Sequence, residues 1–287
     1  MIDNAKSRPI LFILLFYIVC FVFRGFEYLV LLTDQSIIGE AFIHKLIGIA
    51  LLAAALWVLK YRWADIGFRA DRAAKGVLTG LLLGGGAFVV AYGVEMLMLA
   101  ASGDAPTLLF YVTSYAIQGN RDMQDGLLFI LICIAGNLIN VTMEEGVFRG
   151  LFLRLAQEKH SFAKSCVFSA ILFGMWHIAQ PLRNMLDGEQ SPMGALMSAL
   201  MLVATSALLA IQYGMLFRIT GSIWAGMAAH FVNNASANLL HVATAAGVDQ
   251  LLSARIAIAQ SLSFVVVLVI FVLHLRRAKQ AKESLAA

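Results

Sequence analysis

The sequence predicts an all-α fold, a polytopic membrane bundle of about eight transmembrane helices, and three observations carry that expectation. The 287 residues are 61% hydrophobic and only 13% charged, where soluble domains carry about a quarter charged residues. Apolar runs long enough to cross a hydrocarbon core of about 30 Å recur along the whole chain. The Lys and Arg residues sit mainly in the short loops between those runs. The predicted spans are 10–32, 38–59, 76–101, 127–156, 162–180, 193–217, 221–242 and 250–275. Lys6 and Arg8 precede the first run as in a signal peptide, but the run continues past Arg24 to Leu32 without a small-residue cleavage site, so it is read as a retained span. Gly84, Gly85 and Gly86 in the third span permit close helix packing.

No soluble domain fits between the spans, so residues 1–287 form a single integral membrane domain. The longest loop, 102–126, contains an apolar patch, 108–117, expected to lie on the membrane surface. With Arg24, Lys45 and Arg149 set aside as intramembrane, nearly all remaining Lys and Arg fall on one side, from Lys6 and Arg8 to Lys279 and Lys282. Only Arg121, Arg183 and Arg255 fall on the other. By the positive-inside rule both termini are cytoplasmic. The net charge of +4 therefore reports topology, and no nucleic-acid partner is expected. Cys20, Cys133 and Cys166 are odd in number and lack metal-ligand spacing, which makes them ordinary buried thiols.

Against this apolar background the polar intramembrane groups stand out, because each is costly at bilayer depth. Glu144 and Glu145 are adjacent in the fourth span. Arg149 follows Glu145 by four residues on the same helical face, the favourable orientation for an ion pair, whereas Glu144 shares its face with Asn137 and Asn140. Counted from the cytoplasmic helix ends at 1.5 Å per residue, Glu144 lies about 18 Å deep, His177 about 22 Å, and His230 and Asn234 roughly 14 and 20 Å. Spans four, five and seven thus bring costly groups to one level near the midplane, and the site is expected between them. His230 and Asn234 are spaced i,i+4, with Asn233 and Asn238 flanking their face; His241 is too far along the axis to join them. Structural roles are assigned to Arg24 with Glu27, Glu40 with His44, and Glu95, which has no evident partner in the sequence. Phe173, Trp176 and Phe231 are read as packing that also shields the site.

A carboxylate can take a proton from water, a neighbouring His can position that water, and a His with an amide can donate hydrogen bonds to a developing oxyanion. This is the minimum equipment for peptide-bond hydrolysis. Neither a G-x-S-x-G elbow nor an H-E-x-x-H helix is present, and the two suitably placed acids of aspartic intramembrane proteolysis are missing.

At these residues the chain resembles the CPBP family of intramembrane proteases, also called the Abi or CAAX protease family, to which the type II CAAX prenyl endopeptidase belongs. Glu144-Glu145-Gly-Val-Phe-Arg149 matches E-E-x-x-x-R, Phe173-Gly-Met-Trp-His177 matches F-x-x-x-H, and His230-Phe-Val-Asn-Asn234 matches H-x-x-x-N. The resemblance covers a catalytic core of about 125–242. It implies a glutamate-dependent endopeptidase in which Glu144, assisted by His177, activates water, His230 and Asn234 form the oxyanion hole, and Glu145 with Arg149 supports the site from behind. The implied partners are the lipid bilayer and a membrane-associated protein or peptide substrate, with CAAX-type C-terminal processing as one form of the reaction. No cofactor is expected.

The alternative within the same residues is a zinc metalloprotease with Glu144, His177 and His230 as the three protein ligands. Outside enzymology, intramembrane Glu and His also serve proton-coupled transporters, although the polar groups here cluster in spans four to seven rather than in two repeated halves. A non-catalytic immunity protein or membrane scaffold is a third class. Neither the oligomeric state nor the substrate's identity follows from the sequence.

Overall fold

The computed structural model of the chain describes residues 6–36, 41–113 and 124–286. It is a helical bundle. Helix α1, Pro9–Leu31, opens with Pro at its first turn, where the missing N–H costs nothing, and closes with a π-helical turn over Glu27–Leu31. Helices α2 (Ile43–Leu59) and α3 (Ala73–Ala101) follow. Helix α4, Leu127–Ala156, is α-helical to Glu144, π-helical over Glu145–Phe152 and α-helical again over Leu153–Ala156. Helix α5 (Phe162–Trp176) starts on a Ser161 side chain that accepts from the Lys164 N–H, and the short α6 (Ala179–Leu186) succeeds it. Helix α7 (Pro192–Thr220) has Ser191 as its cap and ends at Gly221 in the left-handed conformation, φ 62°. Helices α8 (Trp224–Leu239) and α9 (Leu252–Ala286) complete the bundle.

Among the described residues six helices are long and apolar enough to cross a membrane: Pro9–Leu31, Ala70–Ala101, Leu127–Ala156, Phe162–Leu186, Pro192–Thr220 and Leu252–Ala281. The other two expected spans are shorter. Helix α2 has 17 residues and α8 has 16. Large apolar side chains such as Trp57, Leu82, Val89, Leu97 and Leu127 are exposed on the outside of the bundle, which suits a lipid-facing surface. The chain is an integral membrane protein.

Helix α8 is an interior helix, packed most extensively on α3 and also touching α4 and α7. Its approach to α3 runs over a stripe of small residues, Gly76, Gly80 and Gly84. A Cβ at Gly80 would lie 2.3 Å from the Ala225 carbonyl oxygen, so only glycine admits α8 at this distance. Within the expected cluster of three glycines, only Gly84 takes part, against Val232 and Ala229; Gly85 and Gly86 face open space.

Four features differ from the sequence expectations. A small antiparallel sheet joins β1 (Thr107–Phe110), β2 (Leu240–Thr244) and β3 (Gly247–Val248) in that order, with Thr107 opposite Ala243 and Phe110 opposite Leu240. The apolar patch beginning at Leu108 is therefore a strand satisfied by backbone pairing, and its residues 114–117 lie outside the described residues. The seventh span stops at Leu239 instead of reaching 242, and the Tyr92 hydroxyl donates to the carbonyls of Ser236 and Leu240 where helix becomes strand. The fifth span is broken at His177, because Pro181 has no N–H with which to bond the His177 carbonyl and continue the helix.

The fourth difference concerns charge. Arg183 and Arg255, expected as loop cations, are buried. Arg183 pairs with Asp187 and donates to the Tyr28 carbonyl. Arg255 reaches Glu95 at 2.8 Å, so Glu95 has a partner after all, and it reaches Asp249 at 2.7 Å. Arg121 and Glu40 lie outside the described residues. The three cysteines are buried, as expected.

Candidate active site

The site begins where α4 changes pitch. Glu144 closes the α-helical part and Glu145 opens the π-helical one; π segments add a residue to a turn and recur at functional positions. Both carboxylates are buried, Glu144 at 3% exposure and Glu145 at 0%. Unpaired charges are not sustained at such burial, so the geometry around them decides what the pair can do.

One imidazole lies between the two acids. His230 Nδ1 is 2.9 Å from Glu145 Oε1, and His230 Nε2 is 3.6 Å from Glu144 Oε2. The first is a hydrogen bond donated by the ring to the carboxylate; the second is too long to be one. Arg149 Nη1 lies 3.2 Å from the same Glu145 oxygen, the i,i+4 pair expected from the spacing. Glu145 is therefore held by a guanidinium and an imidazole together. Aromatic rings enclose these groups: the Arg149 guanidinium lies 3.9 Å from the Phe173 ring centroid and 5.3 Å from that of Tyr213, and Tyr213 stacks on His230 at 5.3 Å.

Glu144 has a different environment. The Trp176 indole N–H donates to its Oε1 at 3.1 Å, and the Asn140 amide donates to its Oε2 at 3.4 Å. Asn137, on the same helix face, bonds back to the Cys133 carbonyl instead. His177 lies within electrostatic reach of Glu144. At the broken end of α5 its Nδ1 faces the Phe173 carbonyl at 2.9 Å. A carbonyl can only accept, so Nδ1 carries the proton and Nε2 presents a lone pair. Ser169 fastens α5 to α4 by donating to the carbonyl of Phe148, inside the π segment.

Asn234, one turn beyond His230 on α8, accepts a hydrogen bond at its Oδ1 from Asn233 Nδ2 at 3.2 Å. The stretch of α8 from Phe231 to Asn238 is half-buried and so is His177, whereas Glu144, Glu145, Arg149 and His230 are buried. The accessible side of the site is thus the Asn234 and His177 side. His241 is remote, bonded in the sheet to Asp249 and the Tyr111 carbonyl.

Two parts of this arrangement escaped sequence reasoning. Sequence reasoning gives Trp176 a packing role, although an indole N–H in an apolar layer needs an acceptor, and Glu144 on the neighbouring helix supplies one. A second buried polar cluster stands in α1 and α2, where sequence reasoning saw no counterpart to spans four to seven. Glu27 accepts from the His44 ring at 2.6 Å, from the backbone N–H groups of Ile43 and His44, and from Thr33. Arg24 donates to the other His44 nitrogen at 3.1 Å, so Arg24 and Glu27 are linked through His44 rather than along one helix. The Arg24 guanidinium lies 4.8 Å from the Trp176 ring centroid, which places this cluster directly behind the Glu144 donor.

For the zinc alternative, Nδ1 of His177 and of His230 is engaged by the Phe173 carbonyl and by Glu145, which leaves Nε2 as the nitrogen each offers; among the described residues no group of three His, Cys, Asp or Glu is arranged to hold a metal ion.

A buried carboxylate pair, an oriented imidazole and side-chain amides on interior membrane helices define an intramembrane site equipped for acid–base chemistry. Residues 126–236 match the family model described as type II CAAX prenyl endopeptidase Rce1-like. The match is a similarity to that family over 126–236 of the 287 residues. It runs from the start of α4 into α8 and so takes in all three motifs, while α1 to α3 and α9 lie outside it. No curated protein and no solved structure matches the chain.

Proposed function

We propose that the protein is an intramembrane endopeptidase that hydrolyses a peptide bond of a membrane-associated protein or peptide with water activated by Glu144, and that CAAX-type C-terminal processing is its reaction. The observation that carries this reading is the division of labour between the adjacent acids. Glu145 Oε1 is ion-paired with Arg149 and takes a hydrogen bond from His230, whereas Glu144 takes its hydrogen bonds from the neutral donors Trp176 and Asn140, with His230 Nε2 3.6 Å away.

Glu144 takes a proton from water while the lone pair on His177 Nε2 accepts the water's other hydrogen. The resulting hydroxide adds to the substrate carbonyl. Charge developing on the carbonyl oxygen meets hydrogen bonds from Asn234 Nδ2 and His230 Nε2. Donation from Nε2 uses the doubly protonated ring, for which Glu145 at Nδ1 is the counter-charge. Collapse of the tetrahedral adduct breaks the C–N bond, and Glu144 returns its proton to the leaving amine. Aromatic walls from Phe173 and Tyr213 keep bulk water away from the charged set.

The test uses the full chain in lipid nanodiscs with an internally quenched, prenylated CAAX-type peptide. Wild type is expected to cleave it, and Glu144→Gln, isosteric but unable to take a proton, is expected to be inactive with an unchanged thermal unfolding profile. Turnover by Glu144→Gln at the wild-type rate overturns the mechanism. Cleavage of an unprenylated transmembrane peptide in preference to the prenylated one overturns the substrate class and leaves the role of Glu144 standing.

A further inference from the structure

The oxyanion reading has a directional requirement. A carboxamide has a donor end and an acceptor end of nearly equal size, and Asn234 stabilises an oxyanion only if its NH2 group faces the substrate. Turned over, it would present Oδ1 to a developing negative charge. Something must therefore fix which way the amide lies.

A chain of amides does so. Gln260, on α9, donates through Nε2 to Asn233 Oδ1 at 3.0 Å, and Asn233 Nδ2 donates to Asn234 Oδ1 at 3.2 Å. Every link has one sense. With its oxygen engaged by a donor, Asn233 has its NH2 to give to Asn234; with its own oxygen engaged in turn, Asn234 has its NH2 left for the substrate side. Reversing the last amide would set NH2 against NH2 or require the whole chain to reverse. Gln260 also lies outside the segment that the family model matches.

We propose that Gln260 is a positioning residue of the endopeptidase, acting through Asn233 to hold the Asn234 carboxamide with its donors toward the oxyanion. The inference rests on the function proposed above and adds α9 to the machinery. Gln260 lines a cavity of about 310 Å³ between α7 and α9, together with Thr205, Leu208, Gln212 and Phe264. A side chain of altered shape at this position therefore has room, and Gln260→Met removes the donor at nearly constant volume.

The experiment compares wild type, Gln260→Met, Asn234→Ala and the double variant on the prenylated CAAX-type peptide in nanodiscs. Asn234→Ala is expected to lower kcat by roughly 10²–10³, the usual loss for an oxyanion donor. Gln260→Met is expected to lower kcat by about tenfold, within that ceiling, with KM unchanged, and to cost nothing further in the Asn234→Ala background. Additive losses in the double variant, or a raised KM with normal kcat, overturn the proposal. A slow Asn234→Ala beside a fully active Gln260→Met overturns the relay and leaves the oxyanion hole intact, whereas full activity of Asn234→Ala overturns both. Independently of turnover, selective 15N-asparagine labelling reads the side-chain amide pair of Asn234, assigned by its disappearance in Asn234→Ala. That pair is expected to shift in Gln260→Met, and an unmoved signal overturns the relay whether or not the peptide is cut.

Discussion

Trp176 is the side chain whose importance at the site changed most between sequence and structure. Its indole N–H is the closest donor to Glu144, at 3.1 Å, and its ring is backed by the Arg24 guanidinium. A hydrogen bond to a charged group contributes about 1.5–3 kcal/mol. Trp176→Phe keeps an aromatic ring and deletes the donor, so steady-state kinetics are expected to show kcat reduced roughly tenfold to a hundredfold with little change in KM. Residue types and same-helix spacing sufficed to single out Glu144, Glu145, Arg149, His177, His230 and Asn234 as candidates, of which Glu144, Glu145, Arg149 and His230 meet in the structure, and to pair Glu145 with Arg149. They did not find the contacts between helices. Glu27 meets His44 of the next helix, and Glu95 meets Arg255 of the last. In an apolar medium a buried charge takes the nearest partner in space, and i,i+3 or i,i+4 counting sees only those on its own helix.

At the scale of elements, α8 carries His230 and Asn234 to the site, and α3 determines where α8 lies. Because a Cβ at Gly80 would meet the Ala225 carbonyl oxygen, the Ala228 Cβ and the Ala229 N–H nitrogen, Gly80→Ala cannot be absorbed by a side-chain rotation. Overpacking of this kind costs about 1–3 kcal/mol, and thermal unfolding in detergent is expected to show that loss together with reduced turnover as α8 is displaced. The sheet beyond α8 is fastened by Asp249. Burial pushes its carboxyl up, but hydrogen bonds from His241, Arg255 and the Val242 N–H, with the Arg255 charge, hold it below the usual carboxylate value. A carboxyl lowered in the folded state contributes stability above its unfolded pKa, and that contribution is lost as pH falls through the folded value. The contribution of Asp249 to the unfolding midpoint should accordingly be independent of pH near neutrality and should be lost below about pH 4. Asp249→Asn is expected to remove that acid-dependent step while lowering the midpoint at pH 7. Hydropathy located the long helices to within a few residues, yet it missed this sheet: Leu108 to Phe110 and Leu240 to Thr244 are as apolar as helix, and only their mutual pairing makes them strands.

Across the molecule, ion pairs connect helices that hydropathy treats as independent. Glu95 and Arg255 join α3 to α9, so the helix that supplies Gln260 is tied to the helix that supports α8. Arg255→Met leaves Glu95 and Asp249 without their buried cation, and equilibrium unfolding should register a loss of about 3–5 kcal/mol. The topology belongs to this scale as well. Arg183 and Arg255 are internal, and discounting them makes the loop-charge asymmetry stronger than the sequence count suggested. On the proposal from the loop charges that both termini are cytoplasmic, Lys6→Cys is expected to resist a membrane-impermeant maleimide added outside intact cells and to react in inverted vesicles, with Asp104→Cys showing the opposite pattern. The native cysteines are buried and should be silent. Labelling of Lys6→Cys from outside would reverse the orientation.

The π-helical stretch after Glu144 has a consequence for how this site tolerates change in chain length. A π segment amounts to one residue more than an α-helix of the same rise, so deleting a single residue between Val147 and Leu151 would let α4 relax into an uninterrupted α-helix. The helix would remain long and apolar enough to insert. Because the residue removed is the one the wide turn holds in excess, the helix on either side would keep much of its relative orientation, and the loss would fall on the segment itself, where Arg149 faces Glu145 and the Phe148 carbonyl receives Ser169. The wide turn therefore absorbs a one-residue deletion that a regular α-helix could not, where everything before the cut would turn by about 100° relative to everything after it.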